Sequence, residues 1–261
     1  MAKTKRIFNC VPSRDKQDDW HADKARELGL NVKNKKLPKS VDLRAKWWKI
    51  GNQGETGACV GWATADSLLR YHFTKAKKIK PGESMSVRFI WMASKEMDEY
   101  VDYPTTFIDD SGTSLKSALK VTKKFGALKA DHLPFEGRLV KIKEANFLKV
   151  AGKYKVKGYY NLTKKQSEKI ELFKAWLAFQ GPILTCLDCD NSWNYVRKDG
   201  LLTKFDKKSV EGGHAISIVG YTETHFIIRN SWGTDWGHKG FAYASFDYAK
   251  DAFKEAYGII V

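Results

Sequence analysis

The sequence predicts an α+β fold in which a helical lobe is followed by a mostly β lobe, and three observations carry that reading. Apolar residues recur at helical spacing before about residue 150, short strand-like apolar runs dominate after it, and 261 residues suffice for one large domain or two lobes sharing a cleft. No internal repeat interrupts this order. Hydrophobic residues at 43% and charged residues at 29% suit a folded globular chain and argue against disorder.

Residues 1–36 form an N-terminal extension. They are polar, contain Pro12, Asp15, Asp18, Asp19 and the run Lys33-Asn34-Lys35-Lys36, and show no long apolar period. Residues 37–149 form the helical lobe. Trp62, Ala65, Leu69, Phe73 and Ala76 follow at steps of three and four, as one face of a helix requires, and that helix starts near Cys59. Two further stripes follow, Phe89, Met92, Ala93, Met97 and Tyr100, then Leu115, Ala118, Leu119, Thr122 and Phe125, the second closed by Gly126. Residues 150–261 form the β-rich lobe, with a helix near Ser167 to Gln180 stopped by Gly181-Pro182 and strand-like runs at 183–187 and 215–219.

The run Asn52-Gln53-Gly54-Glu55-Thr56-Gly57-Ala58-Cys59 leads from a Gly-rich loop into the first strong helix. A thiol at a helix N-terminus meets unpaired amides and the positive end of the helix dipole, both of which favour the thiolate. A Cys among small residues also fits an inert buried side chain. Gln53, six residues earlier, adds a neutral donor for a developing oxyanion, with the Cys59 amide as the second.

A later stretch reads as two strands joined by the turn Thr222-Glu223-Thr224. Pairing Tyr221 with His225 sets Val219 opposite Ile227, Ile216 opposite Asn230 and His214 opposite Trp232. His214 and Asn230 are then diagonal neighbours on one face, about 7–8 Å apart at the backbone, with Trp232 placed to cover them from water. A base and its orienting amide follow from register alone, and a slip of one residue would separate them. His21, His72, His132, His225 and His238 lack comparable partners and read as structural.

These residues resemble the papain family. Asn52-Gln53-Gly54 precedes Gly57-Ala58-Cys59, a Gly-His-Ala lies late on a strand, and Asn230-Ser231-Trp232-Gly233-Thr234-Asp235-Trp236-Gly237 follows, in the family's order Gln, Cys, His, Asn. His214 and Asn230 lie somewhat farther from the nucleophile than the family's roughly 130–150 residues, as modest insertions would produce. The likeness covers about residues 37–261 and begins at Leu37-Pro38-Lys39-Ser40-Val41-Asp42-Leu43-Arg44. It implies a papain-like two-lobe fold, a helical lobe and an antiparallel β-barrel-like lobe, with the active site in the cleft between them.

It also implies a cysteine endopeptidase: Cys59 as nucleophile, His214 as base, Asn230 orienting it, Gln53 at the oxyanion and Trp232 as shield. Ser111 and Gly112 would line the cleft, and Cys186 and Gly213 would border a roomy apolar side-chain pocket. The substrate is a protein or peptide, and the chemistry requires no metal and no organic cofactor. A deamidase, transglutaminase or isopeptidase would use the same thiolate, and an inactive papain fold would serve as a binding module for acidic partners. Three features depart from the family pattern: Thr56 replaces a disulfide cysteine of secreted members, Val60 and Gly61-Trp62 alter the surroundings of the thiol, and the extension is too short for the family's large helical propeptide. The extension resembles the short N-terminal segments of bacterial members, a short pro-segment that would lie across the cleft.

Lys plus Arg exceed Asp plus Glu by 46 to 30, a formal charge of +16. The lysines fall in short scattered clusters, as on a solvated basic surface, so no specific nucleic-acid partner is expected. No apolar run is long enough for a membrane span, and the N-terminus lacks the apolar core of a secretory signal, so the chain reads as kept in a cytoplasm or exported by another route. A monomer is expected. Cys10, Cys59, Cys186 and Cys189 do not make a disulfide framework, and the C-x-x-C spacing of Cys186 and Cys189 has no second metal-ligand pair nearby. Asn161-Leu162-Thr163 matches a glycosylation acceptor by coincidence.

Overall fold

The computed structural model describes residues 6–27, 36–98, 105–106, 108–137 and 144–261. Tyr100 of the second helical stripe, and all of the lysine run except Lys36, lie outside them. Among the described residues, no helix is long and apolar enough to cross a membrane.

One long helix occupies the middle of the molecule. It begins at Cys59–Gly61, continues through Trp62–Leu69 with the wider π-type hydrogen bonding, and ends at Arg70–Lys75. Its spacing predicts one apolar face, yet every residue from Ala63 to Phe73 is buried. The reason is that both lobes pack on it, and the polar positions of its second face are paired within the protein. Arg70 Nη1 donates to Asp66 Oδ1 over 2.8 Å, and Arg229 Nη2, from the far lobe, donates to Asp66 Oδ2 over 2.7 Å.

The other two helical stripes form Val87–Glu96, capped by Ser86, and Leu115–Lys124, capped by Ser114. The helix near residue 170 runs Lys169–Phe179 and stops before Gly181-Pro182. These helices bury Leu68, Phe73, Ile90, Leu115 and Leu119 in one apolar cluster, closed on the sheet side by Leu184, Cys186, Ala215 and Tyr257.

The second lobe is built on an eight-stranded sheet. Its order is Gly158–Asn161, Phe253–Ile260, Ile183–Asp190, Val210–Tyr221, His225–Arg229, Phe241–Ser245, Leu201–Leu202, with Val41–Asp42 pairing the end of Val210–Tyr221. All pairings are antiparallel except Leu201–Leu202 with Phe241–Ser245. Its other face buries Phe173, Trp176, Trp193, Phe226, Trp232 and Trp236. This is the α+β, papain-like arrangement that the helix-then-strand order predicts.

The hairpin register is half as expected. Ser217 pairs with Arg229 and Ile218 with Ile228, as the residue pattern requires, but the register shifts at Val219, so Gly220 faces Ile227 and Tyr221 faces Phe226. Val219 therefore does not face Ile227, and Tyr221 does not face His225. The bulge absorbs one residue near the turn, and the ladder ends at Ser217 and Arg229, before the expected pairs Ile216–Asn230 and His214–Trp232.

The N-terminal extension is part of the core. Asn9 bridges Gly213 of the β lobe, while Cys10 and Val11 pair in parallel with Thr113 and Ser114 of the helical lobe, so this strap lies as one strand between the lobes. Farther along, Asp19 pairs with Lys116 over 2.9 Å, Tyr257 Oη donates to Asp19 over 2.7 Å, and Ala22 is 2% exposed. Short alternation at Phe8, Cys10 and Pro12 is too brief to register as a core element until a partner strand on each side completes it.

Candidate active site

Cys59 is the first residue of the central helix, and its side chain is fully buried. Backbone N–H groups of Ala215, Val60 and Asn9 donate to its sulfur, so the helix start, the strand after His214 and the strap all converge on it. The loop before it is stitched to the late Asn-Ser-Trp segment. Gln53 N donates to Ser231 O, Ser231 Oγ donates to Gln53 Oε1 (2.8 Å each), and Asn52 bridges Trp232. Gln53 is 1% exposed, and its Nε2 donates to Thr56 O over 2.9 Å, leaving the second amide hydrogen available. Thr56 returns the bond, Oγ1 to Gln53 O, so the residue that stands in place of a disulfide cysteine of secreted members holds the loop by hydrogen bonds.

His214 and Asn230 meet as the register requires. His214 Nε2 is 2.8 Å from Asn230 Oδ1, which also accepts the Ser231 N–H. That leaves His214 Nδ1 without a hydrogen-bond partner, although it is buried. Trp232 stacks at 4.6 Å between ring centroids and 32° from the imidazole plane, and Trp193 meets the same ring edge-on at 5.7 Å. Burial pushes the Cys59 thiol up to about 12 and the His214 imidazole down to about 4, with the nearby charge of Arg6 adding to the latter. Under the strap both groups are therefore neutral at pH 7, rather than a thiolate and an imidazolium.

The strap packs against this site. Phe8 lies 6.3 Å from the His214 ring and 5.6 Å from Trp232, and the Arg6 guanidinium sits 4.9 Å above the Trp232 ring. Its backbone comes so close to the cleft walls that both must be glycine. A Cβ on Gly112 would stand 1.6 Å from Asn9 O, and one on Gly213 would stand 2.4 Å from Cys10 O. Three of the four residues expected to bind substrate thus touch or flank the strap: Gly112, Gly213, and Cys186, which shares an apolar cluster with Cys10 and Cys59. The fourth, Ser111, uses its carbonyl to accept the Trp91 indole N–H over 3.0 Å.

Two features of the site escape a sequence reading. The Asp66–Arg229 pair ties the helix that begins at Cys59 to the strand end next to Asn230. The Asp66 and Arg70 spacing of four is legible as a helical ion pair, but Arg229 enters only through the tertiary fold. Glu255 lies opposite Cys186 in the sheet, and Cys186 lies opposite Ala215. The row of small residues expected to give an apolar pocket therefore ends on a carboxylate that is 2% exposed.

The remaining candidates separate. Cys186 and Cys189 fall on opposite faces of their strand, one in each apolar cluster, so the C-x-x-C spacing does not bring them together. Asn161 is buried and holds the Thr163 N–H and hydroxyl through its own Oδ1. His21, His132, His225 and His238 bond to neighbours close in sequence, and His72 is buried in the helical lobe.

A family model described as papain family cysteine protease matches residues 37–255. An uncharacterized peptidase C1-like protein of Acanthamoeba polyphaga mimivirus is 28% identical, over 94% of this chain and 83% of its own. Human cathepsin O is 26% identical over 83% of this chain and 64% of its own length, and Drosophila melanogaster cathepsin F is 23% identical over 85% and 36%. Among solved structures, xylellain, a cysteine protease from Xylella fastidiosa, aligns over 100% of this chain and 98% of its own, with a TM-score of 0.79 and 24% identity. A digestive procathepsin L 3 of Tenebrio molitor aligns over 99% and 76%, with a TM-score of 0.67 and 16% identity.

Proposed function

This chain belongs to the papain family of cysteine proteases and is accordingly a cysteine peptidase, and we propose that it cuts peptide bonds with Cys59, His214, Asn230 and Gln53 while the strap of residues 6–13 holds it inactive. The observation that carries the assignment is the His214 Nε2–Asn230 Oδ1 bond of 2.8 Å, which fixes the ring and leaves Nδ1 without a hydrogen-bond partner. An amide that accepts from Nε2 selects the tautomer whose Nδ1 can take a proton.

With the strap displaced, water reaches the pair, the desolvation that keeps both groups neutral falls away, and proton transfer from Cys59 to His214 becomes favourable. The thiolate then attacks the substrate carbonyl, and the oxyanion is held by the Cys59 amide and the free hydrogen of Gln53 Nε2. His214 gives its proton to the leaving amine, then activates the water that releases the acyl group. Trp232 keeps bulk water from the His214–Asn230 bond throughout.

The test, with the extension removed and reductant present, is labelling by an epoxide inhibitor of papain-like enzymes, with cleavage of casein as the activity readout. Stoichiometric modification of Cys59 and cleavage abolished by Cys59→Ala are expected. Modification of another cysteine would overturn the assignment, and labelling without peptide cleavage would favour acyl transfer by the same thiolate.

A further inference from the structure

Three of the four cysteines meet where the strap crosses the site, each from a different part of the chain. Cys10 stands on the strap, Cys186 on the strand Ile183–Asp190 and Cys59 at the start of the central helix, and all three are buried in one apolar cluster. All are free thiols, and those of Cys10 and Cys186 hydrogen-bond to one another. The Cys59 sulfur takes its hydrogen bonds from backbone N–H groups instead.

The backbone accounts for this pairing. Cys186 lies opposite Ala215, so Gly213, two residues before Ala215, is its diagonal neighbour on the same face of the sheet. The strap runs over that glycine. Asn9 bridges it, Cys10 O stands 2.4 Å from where its Cβ would be, and Cys10 pairs with Thr113 on the other side. With no side chain at Gly213, Cys10 has room to reach Cys186.

Resting on the reading of Cys59 as the nucleophile and of the strap as its cover, we infer that Cys10 and Cys186 form a redox lock: joined as a disulfide they hold the strap covalently in the cleft, and reduced they let it lift. The oxidant is a low-molecular-weight disulfide of the glutathione type. Under the strap, burial pushes the Cys10 thiol up and keeps it neutral, so oxidation begins on a chain whose strap has lifted. The Cys10 thiolate attacks one sulfur of the small disulfide, forms a mixed disulfide and releases one small thiolate. As the strap returns, Cys186 gives up its proton and attacks the Cys10 sulfur, forming the protein disulfide and releasing the second small thiolate. Two protein thiols are oxidised, one small disulfide is reduced, and the two protons end on the two thiols released. An excess of small thiol reverses both steps.

The experiment incubates the full chain with glutathione disulfide or with reduced glutathione, removes the glutathione, and maps cysteines by mass spectrometry of unreduced peptides. A Cys10–Cys186 disulfide with Cys59 left as a free thiol is expected after oxidation. Iodoacetamide should then alkylate Cys59 about 30-fold more slowly or less than in the reduced chain, on the scale of a typical disulfide's contribution, and dithiothreitol should restore the rate. Cys10→Ser and Cys186→Ala, at opposite ends of the bridge, should each alkylate equally fast after either treatment. If one variant fails to fold, the other and the peptide map of the unaltered chain keep the test decisive. A Cys10–Cys59 disulfide, a mixed disulfide confined to Cys59, or a bridged chain that alkylates as fast as the reduced one overturns the inference and leaves the catalytic reading intact. A reduced chain that labels at Cys59 yet cuts no casein overturns the peptidase reading, whereas the bridge is mapped without reference to activity.

Discussion

Removing the Phe8 side chain should open the cleft, and the structure sets the size of the effect. Phe8 is half-buried and meets the His214 and Trp232 rings edge-on, at 6.3 Å and 5.6 Å. Partial burial of a phenyl ring contributes about 1.5 kcal/mol and its edge contacts add about 0.5 kcal/mol. Phe8→Ala should therefore favour the open state by about 2 kcal/mol, roughly a 30-fold change in the ratio of open to closed chains. The assay is the rate of Cys59 alkylation by iodoacetamide in the full chain, followed by mass spectrometry of the Cys59 peptide. Because Cys59 is fully buried when the strap is on, the rate should track the open fraction and rise about 30-fold. Lys16→Ala loosens the strap at a distance from His214, at an ion pair whose lysine is 41% exposed, and should give a smaller rise of a few-fold. An unchanged or slower rate in Phe8→Ala would refute the claim that the strap, rather than the fold itself, buries the nucleophile.

Gln53→Ala should lower kcat for peptide cleavage by about 10²–10³, the usual cost of one oxyanion donor, while Gln53→Glu, which keeps the Ser231 contact, should lose a comparable amount; a loss under threefold would remove Gln53 from the mechanism. Asp66→Ala leaves Arg70 and Arg229 buried without their shared carboxylate and should destabilise the chain by about 3–5 kcal/mol in denaturant unfolding; a change under 1 kcal/mol would show that the tie between lobes is unimportant. Burial holds both His72 and His214 down to about 4, against 6.5 when unfolded, so the unfolded chain takes up protons that the folded one refuses. Their contribution is fully present above pH 6.5 and is lost as pH falls toward 4, by about 3 kcal/mol for each histidine. His72→Gln should flatten that slope by one proton, and a stability curve that is level between pH 6.5 and 4 would contradict the burial of these rings.

The helix that begins at Cys59, the late hairpin and the helix-then-strand order were legible because each is a local pattern: apolar spacing of three and four, alternation, and Gly or Pro at the breaks. The His214–Asn230 contact was legible because the Ser217–Arg229 end of the hairpin keeps the register that alternation demands. Where the sequence reading failed, the cause was a single residue or a distant one. The bulge at Val219 shifts pairing near the turn without altering any apolar pattern. Residues 6–13 look polar and unstructured because their partners, Thr113, Ser114, Gly213 and Glu255, lie a hundred or more residues away.

Sequence alone determined the candidate site of this protein, since a thiol at a helix start, a strand histidine, its amide partner and a loop glutamine are fixed by residue type and spacing. Only the tertiary structure decided the state of that site. A strand threaded between the lobes removes water from Cys59 and His214, pushes one up to about 12 and the other down to about 4, and so keeps both neutral. It likewise decided that Glu255 lies buried opposite Cys186, because which residues meet across a sheet, and how deeply they are buried, are properties of the whole fold that no local pattern encodes.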